Sequence, residues 1–183
     1  MPTVFSHAAA PLALGLGLGR RTIPPRLLAA GVVASVLPDL DVVAFYLGIP
    51  YSAGLGHRGF THSLFFAVAV GVAGALTRRA LGAGALCCFL FLFAATASHG
   101  LLDAFTDGGL GVAFLWPWTG TRYWAPDALR VIVVSPLGVR SFLSGRALAV
   151  LASELRWIWP PALALGLILF AVRRVAGRER TEA

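Results

Sequence analysis

Apolar residues fall into five runs separated by polar or basic breaks. Residues 8–19 form a short, glycine-rich run ("LGLGLG"), and residues 27–49 form a longer one that "PDLD" interrupts. Residues 62–77, 80–102 and 157–172 form the other three, and Arg173 and Arg174 end the last. A spanning helix needs about 20 mostly apolar residues. The second and fourth runs reach that length, the third and fifth fall slightly short, and the first falls well short. The pattern predicts an all-α, polytopic membrane helix bundle of four to five transmembrane helices. Residues 104–156 break it. There "FLWPWTGTRYW" mixes Trp116, Trp118, Tyr123 and Trp124 with polar residues, as chains do at a membrane–water interface. An outer interfacial region, partly helical, is expected. Within it "VIVVSPLGV" fits a strand or a loop, and periodicity does not decide.

Composition supports the membrane reading. The 183 residues are 58% hydrophobic and only 13% charged, against about 25% charged in soluble domains. Mean hydropathy is +0.81. The length suits one membrane domain over 1–183. No basic segment precedes the first run, so that helix is expected to stay rather than be cleaved as a signal peptide. Cys87 and Cys88 are adjacent within an apolar run and lack zinc-type spacing, so they read as buried thiols. The glycines of the first run read as helix packing in lipid.

The net charge of +7 comes entirely from arginine. A basic chain can bind nucleic acid, but this one has no basic stripe with interleaved aromatics, so no nucleic acid is expected. The arginines flank apolar runs instead, as topology signals do. Arg20, Arg21 and Arg26, then Arg78 and Arg79, then the tail from Arg173 fall on one side if all five runs cross. That side is expected to be cytoplasmic, with the C-terminus. Residues 50–61 and 104–156 then face outward, although they also carry arginines.

All four histidines and four of the five aspartates collect at the predicted outer ends. His7 precedes the first run, Asp39 and Asp41 lie late in the second, and His57 and His62 precede the third. His99 and Asp103 close the fourth, and Asp107 follows. Ionisable groups in membrane segments are costly and by default functional. His99 and Asp103 are four apart and share a helix face, which suits a common metal or a carboxylate orienting an imidazole. Asp39 and Asp41 are two apart and diverge on an ideal helix, so both reach one centre only if Pro38 breaks it. Thr61 reads as an N-cap for a helix starting at His62. Arg58, inside "HRGFTH", reads as an anion holder or as a salt bridge to one of the aspartates.

"PDLD" at 38–41, "HRGFTHS" at 57–63 and "HGLLDAFT" at 99–106, with His7 before them, resemble the YdjM-like family of membrane-bound, metal-dependent hydrolases. The resemblance covers residues 7–118 as a metal-site core, leaving 119–156 as an outer interfacial segment and 157–183 as the last helix and basic tail. More distantly, the pattern is similar to zinc-dependent phospholipase C and zinc nucleases, helical enzymes that cleave phosphoesters. The resemblance implies a bacterial inner-membrane location. It also implies a divalent metal, zinc before manganese or magnesium, on His7, Asp39, His62, His99 and Asp103, with His57 as an additional ligand. Fewer histidines than the soluble enzymes carry, and no Glu in the motifs, imply one or two metals. Asp41 and Arg58 are the catalytic candidates, as general base and phosphate holder, and Thr61 and Ser63 are supporting residues. The function expected is hydrolysis of a phosphoester, soluble or lipid-linked, at the outer membrane face. Two other classes compete: a non-catalytic bundle stapled by metal, and a metal or proton transporter. A transporter needs ionisable groups along the membrane depth, and here the cytoplasmic half is dry. A haem protein gains nothing from the aspartates.

Overall fold

In a computed structural model of the chain, residues 1–136 and 141–182 are described. The chain is helical, with no strand among the described residues. Among the described residues nine α-helices follow in order: α1 (Val4–His7), α2 (Ala9–Leu18), α3 (Pro25–Val36), α4 (Val43–Tyr46), α5 (Leu64–Leu76), α6 (Arg78–Leu81), α7 (Ala85–Ala104), α8 (Ala147–Trp157) and α9 (Trp159–Glu182). A 3-10 segment, Leu37–Val42, joins α3 to α4.

Three stretches are long and apolar enough to cross a membrane: Pro25–Tyr46, Ala85–Ala104 and Ala147–Ala176. Val4–Leu18 and Leu64–Leu76 are shorter apolar helices. The five runs are all present, with shifted ends. The second stops at Tyr46, and the third starts at Leu64, after His62. The fifth begins ten residues earlier than hydropathy places it, because Glu154 and Arg156 conceal the continuation. Glu154 is buried, accepting hydrogen bonds from Thr3 N, Thr3 Oγ1 and Ser6 Oγ. Arg156 lies over the Trp157 ring at 5.0 Å. Side chains satisfied in this way do not end a helix.

The core lies between α3 and α7, where Leu27, Ala34, Cys88, Phe91, Leu92 and Ala95 are buried together. Cys88 is enclosed, and Cys87 is half-buried with Sγ 3.2 Å from the Thr22 carbonyl. α5 packs along α7, and α2 packs along α9. Gly17 allows the second contact, since a Cβ there would meet Leu169 and the Gly166 carbonyl of α9.

Of the 104–156 region, helix forms at the end, in α8, while residues 105–136 are mostly irregular. They fold back over one end of the bundle, held by a parallel bridge Thr106–Ile132 and an antiparallel bridge Val112–Tyr123. Leu64 N donates to the Phe114 carbonyl and Ala113 N to the Arg58 carbonyl, so this strap grips the start of α5. Trp116 packs on Phe60 at 4.9 Å, whereas Trp118 is largely exposed. The end of "VIVVSPLGV", with Arg140, lies outside the described residues. The part before it is extended and contributes the Ile132 bridge.

Candidate metal centre

Each ligand candidate comes from a helix end. α7 carries His99 and Asp103 on one face, His99 about 21 Å along from Ala85 at 1.5 Å per residue. The 3-10 segment after Pro38 carries Asp39 and Asp41. The loop before α5 delivers His57, Arg58, Thr61 and His62, and α1 ends on His7. His7, His57, Arg58, His62, His99, Asp39 and Asp103 are all buried.

Asp39, His62, His99 and Asp103 offer ligand atoms that all lie within 4.8 Å of one another. His99 Nε2 is 3.1 Å from His62 Nε2 and 3.2 Å from Asp39 Oδ1. His62 Nε2 is 3.3 Å from Asp103 Oδ2 and 3.9 Å from Asp39 Oδ1. Ligands about 2.0–2.1 Å from a tetrahedral zinc stand roughly 3.3 Å apart, close to the three shorter separations. Both carboxylate oxygens of Asp39 and of Asp103 are buried without a hydrogen-bond donor. Buried anions in that state cost several kcal/mol each, and a divalent cation removes the cost. The donor set fits a metal.

Tautomers fit as well. His99 Nδ1 lies 2.7 Å from the Ser35 carbonyl, which accepts its proton and frees Nε2. His62 Nδ1 lies 3.1 Å from Asp41 Oδ2, which again frees Nε2. A carboxylate or carbonyl holding the far nitrogen is the usual support of a ligating histidine. Without a cation, burial opposes a charge on His62, but Asp103 and Asp41 outweigh it and hold the pKa up at about 9.

The other candidates fall around this quartet. His7 stands beside it, stacked on His99 at 3.7 Å, with Nε2 3.8 Å from Asp39 and 3.9 Å from Asp103. Both its nitrogens lack partners. Asp41 does not share the quartet's centre. Its oxygens accept from His57 Nδ1 at 2.6 Å, Thr61 Oγ1 at 2.6 Å and Arg58 N at 3.1 Å, besides His62. The 3-10 winding, about 120° per residue, sends Asp39 and Asp41 to opposite ends of the His62 ring. Asp41, His57 and His62 form a second group of metal-ligand type. Thr61 is not the cap of α5. Ser63 is, accepting from Phe66 N at 3.1 Å, because the helix begins at Leu64, two residues after the start of its apolar run. Asp107 stays outside, accepting from Val134 N.

Arg58 is pinned rather than free. Its Nε lies 2.9 Å from Asp103 Oδ2, an ion pair without hydrogen-bond alignment. Nη1 donates to the Gly108 carbonyl at 3.0 Å and Nη2 to Thr106 Oγ1 at 3.1 Å. Its φ is +60°, a left-handed conformation uncommon outside glycine and frequent at functional sites. A guanidinium has five N–H groups, so some remain unused. With Tyr51, His57 and Gly109 it lines a pocket of about 170 Å3.

Arg122 was not singled out by the sequence reading. It donates to the carbonyls of His57, Tyr51 and Ala53 and so ties the strap to the His57 loop. Carbonyl partners leave no mark in a sequence. Glu154 was missed because its helix was cut short, although a carboxylate in a membrane-length helix is a signal in itself.

Inner membrane protein YbcI of Escherichia coli (strain K12) is 47% identical over 175 residues, covering 95% of this chain and 100% of that protein. No solved structure matches the chain. Residues 1–178 match the family described as YdjM inner membrane protein, and the chain belongs to that family.

Proposed function

We propose that this inner-membrane protein is a metal-dependent hydrolase that cleaves a phosphoester at the outer membrane face. The observation that carries the proposal is a buried His/Asp quartet whose carboxylates lack donors, next to a pocket lined by Arg58, His57 and Tyr51. Asp39, His62, His99 and Asp103 hold the metal, zinc by their nitrogen and oxygen character, and His7 is a fifth donor. A bound divalent cation supplies Lewis-acid polarisation of a phosphoryl oxygen and lowers the pKa of water to about 7.

The chain's own residues do the rest. The unused N–H groups of Arg58 take a phosphate oxygen in a charge-assisted bond. Asp41 orients His57 and His62 rather than serving as the base. His57, with Nδ1 given to Asp41, has Nε2 for proton transfer. Hydrolysis forms one P–O bond to water and breaks one P–O bond to the alcohol. The departing alkoxide takes a proton from His57, which recovers one from the attacking water. Arg20, Arg26, Arg78, Arg79 and Arg173 stand at the opposite ends of the helices from the quartet, and we assign that end and the C-terminus to the cytoplasm.

A metal-stapled, non-catalytic bundle is the second reading, favoured by the contact of Arg58 with Asp103. Metal analysis and a phosphoester panel on detergent-purified protein separate the two. Catalysis predicts that Arg58→Ala keeps metal and loses turnover, that Arg58→Lys recovers part of it, and that His62→Ala loses both. A metal-loaded wild type that cleaves nothing leaves the staple.

A further inference from the structure

The wall of the quartet opens sideways. A groove of about 640 Å3 runs between α1, the 3-10 segment and the start of the last membrane helix. Val4, Phe5, Val36, Leu40, Phe142 and Leu151 line it, and Asp39 is part of its wall. Its size falls within the roughly 300–1,000 Å3 of small-molecule sites. Phe5 is 77% exposed and Leu40 65% exposed, so in a bilayer the groove faces lipid. A second apolar groove between α2 and α9 is lined by Leu12, Leu16, Leu163 and their neighbours without an ionisable residue. It is what helix packing leaves between any two spans. Only the first ends on a candidate metal ligand.

The groove also adjoins the Arg58 pocket: Met1 and Ser135 belong to the walls of both, and Ser135 N donates to the Met1 carbonyl between them. A molecule seated across that junction has hydrocarbon on one side, the quartet at its middle and a guanidinium beyond. An anionic group drawn to Asp39 needs a cation between them, so this inference rests on the metal-hydrolase reading. We infer that the substrate is a lipid-linked phosphoester, entering laterally from the outer leaflet, with its hydrocarbon chain in the Val4–Leu40–Leu151 groove and its phosphate between Asp39 and Arg58.

The test uses the full, metal-loaded chain in detergent with p-nitrophenyl phosphodiesters of butanol, octanol, dodecanol and hexadecanol. A buried methylene is worth about 0.8 kcal/mol, or about fourfold per carbon. We expect kcat/KM to rise by up to that factor until the groove is filled. Leu151→Trp should flatten the rise. Leu148→Trp, at a position 82% exposed and away from the groove, should leave the rise intact. A readout independent of turnover uses a hexadecyl phosphodiester with a diazirine in its chain. Its adducts should map to Phe5, Leu40 and Leu151 and be competed by the unlabelled hexadecyl ester but not by the butyl ester. A flat chain-length profile, or adducts spread equally to Leu148 and Leu163, overturns the inference. No turnover of any ester, with adducts confined to the groove, overturns the hydrolase reading and leaves a lipid site.

Discussion

The two ends of this bundle are made by the same helices and built on opposite principles. At the arginine end, α3 and α7 meet through Leu27, Phe91 and Leu92. Gly17 brings α2 and α9 together by having no side chain. Among the described residues nothing polar is buried there that a helix does not satisfy for itself. At the other end, His7, Asp39, Arg58, His62, His99 and Asp103 are buried together, and the strap of 105–136 closes over them. Irregular backbone at membrane depth is tolerated only where protein encloses it. The first end is what folding requires of helices in lipid. The second costs desolvation energy that apolar residues of the same size would not.

The largest effect expected from this contrast is at Asp103. Replacing it with Leu removes the carboxylate beside Arg58 Nε and strands a buried guanidinium. Breaking a buried pair from one side costs about 3–5 kcal/mol. Thermal unfolding in detergent with chelator present isolates this term from metal loss. A loss under 1 kcal/mol would mean that water reaches Arg58 and that this end is less closed than the other.

Metal removal comes next. A ligand bound only to the native state adds about 2.7 kcal/mol at a hundredfold excess over Kd. Chelation should lower the melting temperature of the wild type and barely move that of His99→Ala. Equal shifts in the two proteins would place the metal elsewhere.

Glu154 belongs to neither end's rule, because it ties the last span to the N-terminal segment through Thr3 and Ser6. Its change to Ala leaves those donors without an acceptor, at about 1–3 kcal/mol for buried polar groups. Metal content should stay at the wild-type level. Loss of metal together with stability would show that α1 and His7 depend on this contact to form the site.

Much of this contrast is legible in the sequence. Five apolar runs and an all-helical membrane bundle follow from hydropathy alone, because lipid leaves no other way to satisfy a backbone. The collection of His and Asp at one end follows from helix length. The spacing of His99 and Asp103 follows from one turn of α7. What is not legible rests on backbone. The Ser35 carbonyl that orients His99, the carbonyls that hold Arg122 and the fold-back of 105–136 involve groups that every residue carries. The ends of helices are equally hidden, since one paired Glu154 is enough to disguise ten residues of α8.

The smallest effect separates two hydroxyls that the sequence does not tell apart. In "FTHS", Thr61 precedes the third apolar run and reads as its cap, and Thr61 and Ser63 both read as support for the site. In the structure Ser63 caps α5 through Phe66 N, and Thr61 donates to Asp41 at 2.6 Å, two steps from the quartet through His62. Ser63→Ala should therefore cost about 1 kcal/mol, the usual worth of an N-cap, and leave metal affinity unchanged. Thr61→Val keeps shape and loses one hydrogen bond, worth about 0.5–1.5 kcal/mol. Its effect should reach the metal, because outer partners of ligating histidines govern affinity by about 10–100-fold, and one of Asp41's several donors accounts for the lower part of that range. Metal titration and thermal unfolding of the two variants should give opposite patterns: stability lost without affinity at Ser63, affinity lost with little stability at Thr61. Identical patterns would show that α5 and the site move as one unit, so that the boundary between scaffold and chemistry does not run between these two residues.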